Sequence, residues 1–243
     1  MKWVVQFHDV VLISIVLLLL AIYLFSVKEE MTNSVAKIDD VVDVVYWINL
    51  DHREDRKKNF LEEMKKLNLP LNRIVRISAT YEPERGHLGC CKSHVRCLET
   101  FLESPYKNCL IFEDDFVFTV SPKEIQRGLH ALVDYNVNYD VCMLSGSEIE
   151  IVDSDYSFLN KVIYATTTSG YLVSRQFAPT LLNNFRESCA LLENNYELHC
   201  YYAVDQYWNR LQSISNWFIF KPKMGIQHGS FSDILNGHVE YNT

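Results

Sequence analysis

Three consecutive acids, Glu113-Asp114-Asp115, close the unbroken apolar run Cys109 to Phe112, and no other residues in this 243-residue chain are better placed to do chemistry. Such a run predicts a buried strand, and in open α/β sheets ligands collect beyond the carboxyl ends of strands. Adjacent carboxylates repel one another unless a cation neutralises them. Alternation along extended backbone would point Glu113 and Asp115 to one side and Asp114 elsewhere, which predicts an acid-x-acid clamp at 113 and 115. Oxygen ligands suit Mn²⁺ or Mg²⁺, and such an ion can bridge two phosphates and take up the charge left on a leaving group. A solvated acidic turn is the alternative.

Other positions carry groups of the right kind. In INLDHREDR, Asn49 lies at the end of an apolar run, and Arg53 and Arg56 open a charged segment. A planar guanidinium grips phosphate or stacks on a base, yet the same spacing suits a solvated helix start. GHLGCCKSH brings Gly86 and Gly89, which permit close backbone approach, together with Ser93 and His94, which can reach a sugar or phosphate. A histidine on an amphipathic helix equally serves as a core residue. Asp205, in YYAVDQYW, lies among aromatic and apolar neighbours where a bare carboxylate is costly. It is therefore either paired or kept for proton transfer as a general base. In GIQHGSFSDI, His228 and Asp233 fall in a polar loop, where His228 either completes a metal shell or faces solvent.

The elements that must position these groups follow from periodicity. VVYWINL (44–50), RIVRI (73–77), 109–112, DVCML (140–144), 162–165, 171–173 and WFIF (217–220) read as strands. Phe60, Leu61, Met64 and Leu67 mark one face of a helix, and helical spacing recurs over 86–103, 123–133, 176–185 and 201–211. This alternation predicts an α/β domain with a mainly parallel sheet and helices on both faces.

A net charge of -8, with no basic run interleaved with aromatics, argues against nucleic acid as a partner. Seven cysteines leave an odd one in any pairing and show no CxxC ligand spacing, so they read as packed thiols rather than a zinc site. Eighteen uncharged residues, 10–27, reach roughly 27 Å as a helix, enough to cross a thin bilayer. The organisation expected is a tail over 1–9, a transmembrane anchor over 10–27, a stem over 28–43 and one domain over 44–243. A cleaved signal peptide is the competing reading, but the run exceeds a normal signal-peptide core and Phe25-Ser26-Val27 is a poor cleavage site, which favours a single-pass membrane protein. Lys2 and Lys28 balance one another, and the orientation stays undecided.

Taken in order, the INL-then-Arg start, GHLGCCKSH, IFEDD, SGYLVS, AVDQYW and QHGSFSDI resemble the motifs of glycosyltransferase family 25. That family includes lipooligosaccharide galactosyltransferases, procollagen galactosyltransferases and related giant-virus proteins. The resemblance spans roughly 45–234. It implies a GT-A-type, Rossmann-like fold, a nucleotide-sugar donor, commonly UDP-galactose, and inverting transfer onto a glycan or hydroxylated protein. The secretory pathway or a viral membrane would suit such an enzyme. Glu113 and Asp115 match the family's metal motif, with His228 as a third ligand by fold-level habit, and Asp205 matches the base. Asn49, Arg53, Arg56, Ser93, His94, Asp114, Gly170 and Tyr171 fall on the donor side. Ten residues follow Asp233, and the acceptor specificity of longer relatives is not carried over.

Overall fold

Side-chain burial along the central strands alternates between two separate cores, and this alternation defines the architecture. In β1 (Val44–Asn49), Val44, Tyr46 and Ile48 enter one core while Val45 and Trp47 enter the other. The same division runs through β3 (Asn108–Glu113), β5 (Val141–Met143), β8 (Gly170–Ser174) and β9 (Trp217–Phe220). Strands buried on both faces read as continuous apolar runs, which is why the sequence marks them so clearly.

The computed structural model of the chain describes residues 16–20, 22–23, 41–234 and 237–239. The chain divides into two units, Met1–Lys37 and Ile38–Thr243. In the first unit, residues 16–20 and 22–23 are helical and exposed. The rest of the expected anchor at 10–27 lies outside the described residues, as do residues 1–9 and 28–40. Among the described residues no helix is long and apolar enough to cross a membrane. In the second unit Val41 and Val42 are already buried in a core, so packing includes residues ahead of the expected boundary at 44.

The remaining strands of the main sheet are β2 (Ile74–Ser78), β6 (Ser147–Asp153) and β7 (Leu159–Thr166). The eight strands lie in the order β2-β1-β3-β8-β5-β9-β7-β6. β1 pairs in parallel with β2 and β3, and β5 with β9; β8 and β7 run against their neighbours. Six of the eight strands therefore point one way, and the sheet is mostly parallel with two reversed members. β6 is a strand that periodicity does not predict. It lies at the sheet edge, and its alternation of charged and apolar residues lacks the apolar run of a central strand.

One face is covered by α2 (Gly86–Glu103), α4 (Ala178–Asn194) and three short helices, α5 (His199–Tyr202), α6 (Val204–Tyr207) and α7 (Asn209–Gln212). The opposite face holds α1 (Glu54–Met64) and α3 (Pro122–Asp134). α3 starts on a complete capping box between Ser121 and Glu124, with proline in its first turn. The single helix expected over 201–211 is broken at Ala203, whose backbone is extended, although no helix-breaking residue marks the spot. α4 continues nine residues beyond its expected end at Phe185, its inner face maintained by Ser188, Cys189 and Leu192. Six of the seven cysteines are wholly or partly buried free thiols, and Cys200 is exposed.

The end of β7 leads into the turn that supports the candidate site, and Gln212 holds it. Its amide accepts from the Ala165 N–H at 2.7 Å and donates to the Ala165 carbonyl at 2.8 Å, fully buried. Gln212→Leu keeps the volume but strands the Ala165 N–H, while the carbonyl keeps the Trp208 indole N–H at 3.0 Å, at an expected cost of about 1–3 kcal/mol. The check is a lower urea midpoint with an unchanged slope.

Candidate functional site

Asn49 and Glu113 end neighbouring parallel strands, so the two sequence signals farthest apart in kind arrive side by side at one sheet edge. Beyond Glu113 the chain turns at Asp114 and Asp115 before entering β4 (Phe116–Phe118). β4 pairs antiparallel with β10 (Gly225–Gln227), which brings Gln227 and His228 against the turn. Gly225 permits this closeness: a Cβ there would sit 2.5 Å from the Val117 carbonyl. The acids line a solvent-open cleft of about 670 Å³, together with Asn49, Arg56, Cys90, Ser93, Gln227 and Asp233 among others.

The turn corrects one expectation. Alternation would have turned Asp114 away from its neighbours, but the extended backbone stops at Glu113, and all three carboxylates face the cleft. Asp114 accepts from the Asn49 amide at 2.6 Å and from Arg56 at 2.8 Å, and Arg56 also lies 3.2 Å from Asp115. Gln227 donates to Asp115 Oδ2 at 3.2 Å, and the His228 N–H donates to the Asp115 carbonyl at 2.8 Å. Asp115 Oδ1 is buried without a hydrogen-bond partner.

Asn49 acts as a junction, since its side chain also donates to the Arg53 carbonyl at 3.1 Å and accepts from Arg76 at 2.9 Å. Arg53 is paired with Asp233 and with Asp55, the latter at 2.8 Å. Both arginines expected to hold a donor are therefore engaged by carboxylates in this structure.

On the other side of Glu113 stands a second network. His94, fully buried, places Nε2 3.2 Å from Glu113 Oε1 and Nδ1 3.0 Å from the Tyr171 hydroxyl. The Thr168 hydroxyl donates to the same Glu113 oxygen at 2.6 Å. The Thr167 N–H donates to Asp205 Oδ2 at 3.1 Å from a residue with φ of 80°, a costly conformation for a β-branched side chain. Ser93 donates to the Gly89 carbonyl at 2.7 Å and accepts from the Thr80 N–H at 2.9 Å, tying helix to loop. Gly170 and Tyr171 do not line the cleft: a Cβ at Gly170 would meet the Phe116 ring at 2.7 Å, and Tyr171 is fully buried. His228 is exposed.

Thr167, Thr168, Cys90 and Gln227 join the site without having been expected from sequence. Only Cys90 carries a signal, its spacing of one helical turn from His94. Among the described residues, the only cluster of three possible ligand atoms within 4.8 Å of one another is Cys90, His94 and Glu113.

Electrostatics separates the carboxylates. Burial would raise Glu113, but the contacts with His94 and Thr168 outweigh it and hold the group below its ordinary value. Burial raises Asp114, with Arg56 and Asn49 opposing. Asp115 is pushed up to about 7, first by burial and then by the Glu113 charge. Asp205 is raised by burial, against the Thr167 N–H, and the Glu113 charge adds to the rise. Glu113, Asp114 and Asp115 line one cleft with divergent proton affinities, a setting suited to acid-base work and to holding a cation, whereas Asp205 is not among the residues lining it.

No protein-family model matches the chain. Procollagen galactosyltransferase 1-A of Xenopus laevis is 25% identical over 171 residues, covering 58% of this chain and 28% of the relative. The chain thus spans well under half the length of that relative. Among solved structures, A197 from STIV aligns with a TM-score of 0.43 at 11% identity, covering 82% of this chain and 94% of that one. A glycosyltransferase involved in the glycosylation of the major capsid of PBCV-1 aligns with a TM-score of 0.42 at 9% identity, covering 79% and 95% respectively.

The raised proton affinity of Asp115 has a stability consequence. Its folded-state pKa of about 7 lies above the usual carboxylate value of about 4, so the folded chain binds a proton that the unfolded chain has lost. This contribution to stability is present in acid and falls as pH rises through the window between those values. Asp115→Asn removes the titration. In chelator-treated protein, the difference in Tm between variant and parent should shift in the variant's favour across that window and level off above it. A difference that does not change with pH would contradict the assignment.

Proposed function

We propose that this chain is a metal-dependent glycosyltransferase that moves a sugar, galactose from UDP-galactose, onto a hydroxyl of a glycan or hydroxylated protein with inversion. The observation that carries the reading is the set of carboxylates at the end of β3, one with a buried oxygen, Asp115 Oδ1, that no protein group satisfies. Similarity to a procollagen galactosyltransferase supports the sugar-transfer chemistry.

Glu113 and Asp115 would hold Mn²⁺ or Mg²⁺, and His228, whose backbone is bonded to Asp115, would be the third ligand by fold-level habit. A hard cation accepts carboxylate oxygen, and the unsatisfied Asp115 oxygen fits that need. Bound there, the ion would supply charge stabilisation for the departing diphosphate. Arg56 orients Asp114 and Asp115, and Asn49 fixes Asp114 against the first strand. Asp205 is the base: its raised proton affinity lets it take the acceptor hydroxyl proton as that oxygen attacks the anomeric carbon and the bond to the diphosphate breaks. The Thr167 N–H keeps one carboxylate oxygen oriented. Residues 10–27 serve as a membrane anchor in this reading.

A second reading is a non-catalytic binding protein of the same fold. It is favoured by Arg56, which already bridges Asp114 and Asp115 where a cation would sit.

The purified chain, given a panel of UDP-sugars, Mn²⁺ and hydroxyl acceptors, should form a glycosylated product detectable by mass and lose that activity in chelator. Asp115→Ala should abolish the metal-dependent turnover. Asp205→Asn should lower kcat by about a hundred- to ten-thousand-fold while leaving UDP affinity unchanged. Tight UDP binding with no transfer to any acceptor would favour the second reading.

A further inference from the structure

We propose that Cys90, His94 and Glu113 form a second, chemically distinct cation site in the same cleft, selective for a borderline-soft divalent ion of the Zn²⁺ class over Mg²⁺ or Mn²⁺. The site needs no nucleotide or sugar, so it stands apart from the transferase reading.

Cys90 and His94 are four residues apart on α2 and therefore share one face of the helix, one turn from each other. Glu113 reaches them from the end of β3. The three ligand atoms lie within 4.8 Å of one another, and His94 Nε2 is already 3.2 Å from Glu113 Oε1. Ligand atoms around tetrahedral zinc stand roughly 3.5 Å apart, so side-chain rotation closing the set by at most about 1.3 Å completes it.

Two features mark this as a supported site rather than a chance cluster. The Tyr171 hydroxyl contacts His94 Nδ1 at 3.0 Å, fixing the ring so that Nε2 faces the carboxylate, and the Thr168 hydroxyl fixes the carboxylate at 2.6 Å. Partners of this kind orient metal ligands and tune their affinity. Cys90 and Glu113 also line the cleft, which leaves a path for the ion.

Ligand chemistry decides the class of ion. Sulfur and imidazole favour Zn²⁺ and its neighbours, whereas Mg²⁺ and Mn²⁺ prefer an oxygen shell. Three protein ligands leave one position for water or another small ligand. Binding is coordination alone: the Cys90 thiol releases its proton to solvent as the sulfur–metal bond forms, with no change in oxidation state. Because Glu113 is shared, occupancy here withdraws a ligand from the oxygen site at Asp115.

The test uses the full-length protein, stripped with chelator and titrated with Co²⁺ in the absence of any nucleotide. A thiolate-to-Co²⁺ charge-transfer band should appear in the near ultraviolet and be abolished by stoichiometric Zn²⁺. The band should be lost in Cys90→Ser and retained in Asp115→Asn and in Cys200→Ser, which lacks the exposed thiol. No band in the parent protein, or a band that survives Cys90→Ser, overturns the proposal. Should Cys90→Ser fail to fold, alkylation of Cys90 in the native parent protein, followed by peptide mass, replaces it as the measurement. Zn²⁺ should slow that alkylation by at least about tenfold, and an unchanged rate overturns the site. Absence of sugar transfer leaves these readouts unaffected.

Discussion

Three carboxylates at the end of one buried strand cannot all be charged and dry without compensation, and the surrounding structure supplies it unevenly. Arg56 and Asn49 serve Asp114, His94 and Thr168 serve Glu113, and Asp115 is left with Gln227 on one oxygen and nothing on the other. Arg56 reaches Asp115 as well, but burial still raises its proton affinity. The acid with the least compensation is the one whose charge an added cation would most relieve.

This unevenness follows from how the sheet is assembled. β1 and β3 are parallel neighbours and end together, placing Asn49 and the first turn of α1 beside the acids. β8 enters on the other side of β3 in the opposite direction, so the residues just before it, Thr167 and Thr168, arrive at the same end of the sheet. An all-parallel arrangement would have delivered the far end of that strand instead. The reversed strand thus brings the donors that hold Glu113 and Asp205.

The two networks flank the acids. The side formed by β1 and α1 is rich in guanidinium groups and the side formed by α2 and β8 in imidazole, hydroxyl and thiol groups. A single cleft therefore presents an oxygen-rich and a mixed sulfur-nitrogen environment a few residues apart, both drawing on Glu113.

What the residues alone determined rests on local period and hydrophobicity. The doubly buried strands, the helix over 86–103 and the acid triplet at a strand end were legible because each is encoded within one continuous stretch. Asp205 stood out because a carboxylate among aromatics is costly wherever the chain goes. Tertiary structure alone decided which strands adjoin, that β8 runs backwards, that Asp114 turns into the cleft and that Arg53 and Arg56 are occupied by acids. Thr167 and Thr168 carried no signal, because their roles depend on meeting Asp205 and Glu113 across 38 and 55 residues of chain. Periodicity reports which face a side chain takes within its own element; it is silent on which partner waits there, since that is set by packing between segments distant in sequence.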